Sequence, residues 1–318
     1  MKNQIILFLS LIIFSACELE NIVEIEIPPH KSVLVLNGNL NPDSVIQVLI
    51  TNSVGAFSQE TPTSINNANV LLYENNNLIG PLIKDTINPI YVNFWTDKGA
   101  DSVLLNYYKI NYFPKRGYNY KIIVNHPDYE SIEAETSIPE NIIIYNIEID
   151  SSSEDITEIS FTFNDNVDLQ NYYQLELDAN CSKTWFEYEY GIYDEYFYTN
   201  RIFFYSNDPS FPGGFPFSGY TFEGESVIFT DAIFNGSSKK IEIDIPSEDF
   251  DFTRCDSLII KFSSFNYETF DYFNSLSDHI DKGALGIFGG EVIPVYSNVK
   301  NGLGVLISAN EQKEYIIK

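Results

Sequence analysis

The chain is short of the side chains that do chemistry. Its 318 residues include three histidines, three cysteines, one methionine and two tryptophans. His30, His126 and His279 stand in no His-Glu-x-x-His or comparable spacing, which sets aside a zinc site of that kind. There is no Gly-x-Ser-x-Gly elbow, so the serine hydrolases built on it are set aside too. Gly302-Leu303-Gly304 and the glycines at 286, 289 and 290 complete no phosphate-binding loop. Basic residues are scarce, with 18 Lys and Arg against 45 Asp and Glu. Phosphates need a basic footprint, so nucleic acid is excluded as a partner, and so is electrostatic docking on anionic lipid. No run reaches the roughly 20 apolar residues that span a bilayer. These absences point to a protein that is not an enzyme and uses neither metal nor cofactor.

What is present begins at the N-terminus. Lys2 supplies a positive charge, Ile5 to Phe14 is apolar apart from Ser10, and Ser15-Ala16 precede Cys17. A charge, a short apolar run and small residues before a cleavage point make a secretory signal. A cysteine directly after the small residues is the lipobox arrangement, in which the thiol is diacylated and Cys17 becomes the new N-terminus. Two or three acyl chains, at ~0.8 kcal/mol per buried methylene, hold such a protein on a membrane. Cleavage removes only Lys2 from the charged residues, so the mature chain carries 17 − 45 = −28. Disorder is not implied, because 44% hydrophobic and 15% aromatic residues can build a core. Once Cys17 is acylated, Cys181 and Cys255 remain. In an oxidising compartment they either pair or stay as two buried thiols.

Nearly every segment alternates like a strand. Ser32–Leu40 and Ser44–Thr51 flank the turn Asn41-Pro42-Asp43, Asn69–Glu74 meets the polar tip Asn75-Asn76-Asn77, and Ser131–Ser137 stops at Pro139. Strands resume at Ile142 and include Glu158–Phe163, Tyr172–Leu177, Lys239–Ile245 and Ser257–Phe262. One segment differs. Phe270, Phe273, Leu276, Ser277 and Ile280 recur at helical spacing, with Ser264 or Asn266 as cap and Gly283 as stop. The fold class is mainly β: two β-sandwich domains, Ig-like or transthyretin-like, with one helix in the second. The boundaries are residues 1–16 for the signal peptide, 17–31 for the acylated tether, 32–138 for the first sandwich and 139–318 for the second. The second sandwich contains an aromatic-rich insertion at 185–222 and a helix over about 266–281.

Val33-Leu-Val-Leu-Asn-Gly38, Ala68-Asn-Val-Leu-Leu-Tyr73 and Gly117-Tyr118-Asn-Tyr120 follow the lipobox. Phe229-Thr-Asp-Ala-Ile-Phe-Asn-Gly236 comes next, and the chain closes with the helix and Pro294-Val-Tyr-Ser-Asn-Val-Lys-Asn-Gly-Leu-Gly304. In this order the blocks resemble the Bacteroidota lipoproteins of domain-of-unknown-function family 4249, over essentially the whole mature chain. The Phe-Thr-Asp…Phe-Asn-Gly and Ser-Asn-Val…Asn-Gly-Leu-Gly blocks are the more specific. Members often stand beside TonB-dependent outer-membrane receptors, which implies an accessory role in nutrient uptake. The resemblance supplies no catalytic residue. Glu18-Leu19-Glu20 also resembles the surface-export signal of Bacteroidota lipoproteins, which implies an outer membrane location facing outward; the periplasmic face is the alternative. Asp-Ser/Thr-aliphatic triplets place Ser44, Thr86, Ser102 and Ser257 in a pattern resembling an O-glycosylation acceptor of exported Bacteroidota proteins. Turn residues that lead into strands explain the same text.

Two further features bear on binding. Asn164-Asp165-Asn166-Val167-Asp168 gathers oxygen atoms, but no glycine or distal glutamate completes a calcium loop, and a polar hairpin tip explains it. Aromatic density is the stronger signal: residues 185–222 hold 16 of the 48 aromatic side chains. The first part alternates, so some rings belong to the core. The Pro/Gly-rich end from Phe211 to Tyr220 cannot be a central strand. Aromatic rings on a loop are common anchors of binding surfaces. Trp185, Tyr205, Phe211, Phe215, Phe217 and Tyr220 are therefore the candidate ligand or partner surface, for a peptide, a glycan or a receptor. A loop folded back over the sandwich by its own rings is the competing reading. The sequence thus points to a lipid-anchored accessory or binding protein serving a TonB-dependent transporter; a structural or adhesive envelope protein is the alternative.

Overall fold

The computed structural model describes residues 29–55, 60–96, 99–167, 169–187, 192–213, 219–283 and 293–317. Cys17, the expected signal peptide and most of the expected tether, together with Phe215, Phe217, Asp168 and the Trp185 side chain, lie outside the described part.

The protein is mainly β, with several antiparallel sheets and no closed barrel. The first half contributes β1 (Leu34–Leu40), β2 (Gln47–Asn52), β3 (Asn69–Glu74), β4 (Asn77–Lys84) and β5 (Ile90–Thr96). It continues with β6 (Gly99–Leu105), β7 (Tyr107–Lys109), β8 (Asn119–His126) and β9 (Tyr129–Ser137). The turns form where the side chains demand them. Asp43 N donates to Asn41 Oδ1 at 2.8 Å, closing the turn between β1 and β2. Between β3 and β4, Asn75 and Asn76 take φ of 47° and 67°, the left-handed pair that a two-residue hairpin requires and asparagine tolerates.

The second half supplies β10 (Tyr145–Asp150), β11 (Ile156–Asn164), β12 (Tyr172–Glu187), β13 (Ile192–Arg201), β14 (Phe204–Ser206) and β15 (Phe222–Gly224). After these come β16 (Ser226–Thr230), β17 (Ser238–Pro246), β18 (Cys255–Phe265), helix α1 (Tyr267–Gly283), β19 (Val299–Lys300) and β20 (Leu303–Ile317).

Two cores result. The first lies inside the run β1-β2-β7-β4-β3-β8-β9-β19, which folds back so that β9 and β19 approach β20. Its members include Leu36, Ile50, Leu72, Ile122 and Ile132, and it draws Val299 and Leu306 from the far end of the chain. The second lies between two facing sheets. Ile159, Phe161 and Phe163 of β11 and Ile241, Ile243 and Ile245 of β17 point inward from the five-stranded sheet β10-β11-β17-β14-β15. Tyr173, Leu175 and Leu177 of β12 and Leu258, Ile260 and Phe262 of β18 meet them. Period-two alternation on each strand is what makes this possible. The rings interlock edge-to-face and stacked, as in Phe161–Phe262 at 5.5 Å and Tyr173–Phe262 at 5.5 Å between centroids.

β20 belongs to both halves. Val35–Leu40 pair in parallel with Leu303–Ser308, and Ala309–Ile317 continue antiparallel to β18. Its close approach to β1 needs Gly304, at φ +100°, where a Cβ would stand 2.1 Å from the Leu36 carbonyl oxygen.

Helix α1 sits over this junction. Phe270 stacks on Tyr172 at 4.4 Å and Phe273 on Phe265 at 5.7 Å, whereas Ile280, which shares their spacing, is exposed. Thr269 Oγ1 donates to Ser308 O at 2.7 Å, and Asn310 Nδ2 donates to Pro139 O and Glu140 O at 3.2 and 2.9 Å. Of the two expected caps, Asn266 is the one used: its Oδ1 accepts from Thr269 N at 3.0 Å. Its amide nitrogen also donates to Thr136 Oγ1 and Ser137 O, at 2.7 and 3.0 Å, which ties the helix start to the end of β9. Asn266→Ala is expected to lower the unfolding free energy by about 1–2 kcal/mol. Asn266→Asp, which keeps the cap and loses the amide donor, should retain part of it, as read by urea denaturation.

Candidate functional site

The aromatic-rich segment divides three ways. Phe211 is 5% exposed and packs against Phe222 and Phe229 at 5.6 and 5.0 Å, so it is a core residue and leaves the candidate surface. Burial of ring area outweighs the tendency of a Pro/Gly-rich stretch to stay outside. β12 and β13 run on as a ribbon beyond the last β12–β18 pair, Cys181 and Cys255, with Tyr196 and Phe197 exposed. The Trp185 backbone lies in this ribbon, opposite Asp194. Tyr205 and Tyr220 behave differently again. They are partly exposed and stack at 4.9 Å with an interplanar angle of 29°.

Both tyrosines meet Asp244, Tyr205 as its strand partner and Tyr220 through a hydrogen bond, and Asp244 lines a groove of about 470 Å³ on the outer face of the five-stranded sheet. Because the inward positions of β11 and β17 are taken by the core, the alternate positions form this face. The register aligns them in rows. Asp150 pairs with Glu158, Glu158 with Asp244, Asp244 with Tyr205 and Tyr205 with Glu223. Two residues along, Glu148 pairs with Ser160 and Ser160 with Glu242. Like charges directly opposite one another on a sheet are destabilising, so these rows are held together by the core beneath them.

Local bonds relieve part of the repulsion. Lys240 Nζ lies 2.7 Å from Glu242 Oε1, and this hydrogen bond raises the ammonium pKa above its ordinary value. The Ser152 side chain and amide hold the Asp150 carboxyl below the usual range, the amide at 2.9 Å. Tyr220 donates to Asp244, and that bond, with burial, pushes its hydroxyl pKa up. The tyrosine is thereby fixed over the carboxylate row. Such a face can accept hydrogen bonds from hydroxyl or ammonium groups while the rings cover an apolar surface.

The other candidates resolve as follows. Cys181 and Cys255 are joined by a disulfide. Ser44, Thr86 and Ser102 are exposed, but Ser257 is buried and accepts from Asn180 Nδ2 at 3.0 Å, so it is withdrawn as a modification site. Of the acidic stretch that begins at Asn164, Asp165 accepts from Tyr173 and Gly236 N, and Asn164 from Tyr145, so protein donors already occupy the oxygens of these two residues. The histidines make structural contacts, to Ser53 Oγ (His30), Asn66 O (His126) and Ile293 O (His279). Among the described residues no three His, Cys, Asp or Glu side chains gather to hold a metal, and no helix is long and apolar enough to cross a membrane.

Glu74 is a buried carboxylate of the first half, at 8% exposure. Burial raises its pKa, but donors from Lys115, Tyr112 and Tyr120 outweigh that and hold it below the usual value. Three donors converge on one carboxylate, which makes it a structural tie. The acidic rows escaped the sequence reading because they arise from pairing register. Their only trace in the sequence is the alternation Glu148-x-Asp150 and Glu242-x-Asp244.

Residues 20–315 match the family model described as Domain of unknown function (DUF4249). No curated protein matches the chain.

Proposed function

The chain belongs to the DUF4249 family, and on that premise we propose that it is a lipid-anchored binding protein of the outer membrane, serving a TonB-dependent transporter in nutrient uptake. The observation that carries the reading is the groove on the second sandwich, with its carboxylate rows and the stacked Tyr205–Tyr220 pair that meets its Asp244. A concave polar surface with a rigid aromatic platform suits a peptide or glycan, or the rim of a receptor that handles one. The lipobox at Cys17 supports the anchor, and the acidic residues after it support the cell surface as location.

The test is purification of the natively acylated protein from gently solubilised outer membrane, followed by mass spectrometry of what accompanies it. A TonB-dependent receptor at one-to-one stoichiometry is expected. Tyr205→Ser combined with Tyr220→Ser should remove the receptor while leaving the melting temperature nearly unchanged. A protein that arrives alone, under conditions that preserve other transporter complexes, would favour a structural or adhesive role instead.

A further inference from the structure

β5 and β6 form the one two-stranded sheet among the described residues and pair with nothing else. A lone hairpin is marginally stable in water, so its faces call for an occupant. One face carries Tyr91, Trp95 and Leu104, at 70%, 84% and 48% exposure, with Tyr91 opposite Leu104 and Trp95 opposite Ala100. Asn93 and Ser102 lie between them, so the face has no charge, in a mature chain of net charge −28 (17 − 45). Ile87, at the hairpin's base, is 84% exposed.

The register fixes which end of the molecule bears the hairpin. Leu34 pairs with Asn52, Leu49 with Tyr107, and Lys84 with Tyr108. The start of β1, the end of β2, the end of β4 and the start of β7 therefore share one end of the first sandwich. Hydrogen bonds link them there. Ser53 N donates to Val33 O at 2.9 Å, Thr51 bridges to Ser64, Asn106 N donates to Ser64 Oγ at 2.8 Å, and Asn106 Nδ2 donates to Asp85 O at 2.8 Å. The segment leading from Cys17 thus joins the fold at the base of the hairpin. β20 runs parallel to β1 and away from this end, so the second sandwich lies beyond the opposite one.

We infer that the β5–β6 hairpin is a second membrane contact, seating its Tyr91, Trp95 and Leu104 face at the headgroup–acyl boundary of the bilayer that holds the Cys17 acyl chains. The inference rests on the lipid-anchor reading above. Twelve residues separate Cys17 from His30, and even fully extended they reach only about 40 Å. The hairpin end therefore stays within about 40 Å of the bilayer whatever the tether's path, near enough to touch it. Trp and Tyr favour that interface, where a ring's apolar body and polar edge are both satisfied. With a strongly negative chain, electrostatic attraction is unavailable, which leaves aromatic and aliphatic contact as the mode of binding and zwitterionic lipid as the suitable surface. Two contacts would orient the molecule with the second sandwich and its groove pointing away from the membrane.

The test uses the full acylated chain carrying Trp185→Phe, so that Trp95 is the only tryptophan, in phosphatidylcholine vesicles brominated high on the acyl chains. Trp95 emission should fall roughly twofold and shift to the blue relative to a soluble Cys17→Ala chain, as insertion by 5–10 Å would produce. An independent reading keeps both tryptophans: a nitroxide at Asn93→Cys should become more accessible to oxygen than to a polar relaxant. Protein that floats with the vesicles while Trp95 and the nitroxide remain in water overturns the inference and leaves the anchor standing; the hairpin then serves a protein partner. Protein that fails to float overturns the anchor and the inference together. A glycan on Ser102 in the native protein would also overturn it, since that side chain shares the seated face.

Discussion

Lys239→Ala is expected to destabilise the protein by roughly 3–5 kcal/mol, because it strands a buried carboxylate. Lys239 Nζ lies 2.7 Å from Asp208 Oδ1, and the two side chains are 13% and 6% exposed. Asp208 also accepts from Ser210 N and Oγ at 2.9 and 2.5 Å, so the loop after β14 is arranged around this charge. Phe211, whose amide donates to Asp208 O at 3.1 Å, enters the second core from the same loop. The ammonium further lies 5.5 Å from the centroid of the Phe234 ring, which packs on Phe163. Removing Lys239 therefore affects a charge, a loop and a core contact together. Lys240→Ala is the control. Its partner Glu242 is exposed, and the change should stay within about 0.5 kcal/mol.

Replacing both members, with Lys239→Met and Asp208→Leu, should lose much less than the single change, since neither charge is then left buried. Denaturant midpoints of the three variants decide the matter. A loss below about 1 kcal/mol in Lys239→Ala would mean that water reaches Asp208 and that the pair is a surface one.

The strands, the turns and the helix were legible because each rests on local chemistry. Asn41-Pro42-Asp43 and Asn75-Asn76 carry their turn geometry in their own side chains, and the helix declares itself by spacing and by its Asn266 cap. What the sequence could not show depends on pairing between distant residues. Val35 meets Leu303 across almost the whole chain, and no local pattern marks that half of β20 belongs with β1. The acidic rows are invisible for the same reason: Asp150, Glu158 and Asp244 become neighbours only once three strands are in register. The hairpin β5–β6 is not singled out in the sequence, and its aromatic face emerges only from the register that sets Tyr91 opposite Leu104 and Trp95 opposite Ala100. Phe211 shows the opposite limit. Its context of proline and glycine suggested a surface loop, and the core took the ring regardless.

Loss of the Cys181–Cys255 disulfide is expected to lower stability by about 4 kcal/mol on the chain-entropy account, for a loop of 74 residues in sequence separation. The two cysteines are direct partners in the pairing of β12 with β18, and both are buried. They close the second sandwich where the β12–β13 ribbon leaves it, so reduction would loosen the point from which Tyr196 and Phe197 project. Cys181→Ser with Cys255→Ser should reproduce the effect of a reductant, and the reductant should then have no further effect. A wild-type chain whose denaturation midpoint ignores reductant would show that the bond constrains nothing the core does not already hold. The prediction also links stability to location. A chain that owes about 4 kcal/mol to a disulfide is fully stable only in an oxidising compartment, so the same protein produced without residues 1–16 in a reducing cytosol should unfold at lower denaturant. If the proposed lipid anchor holds, thiol titration of protein taken from the membrane should find no free cysteine, and a cytosolic form should show all those it contains.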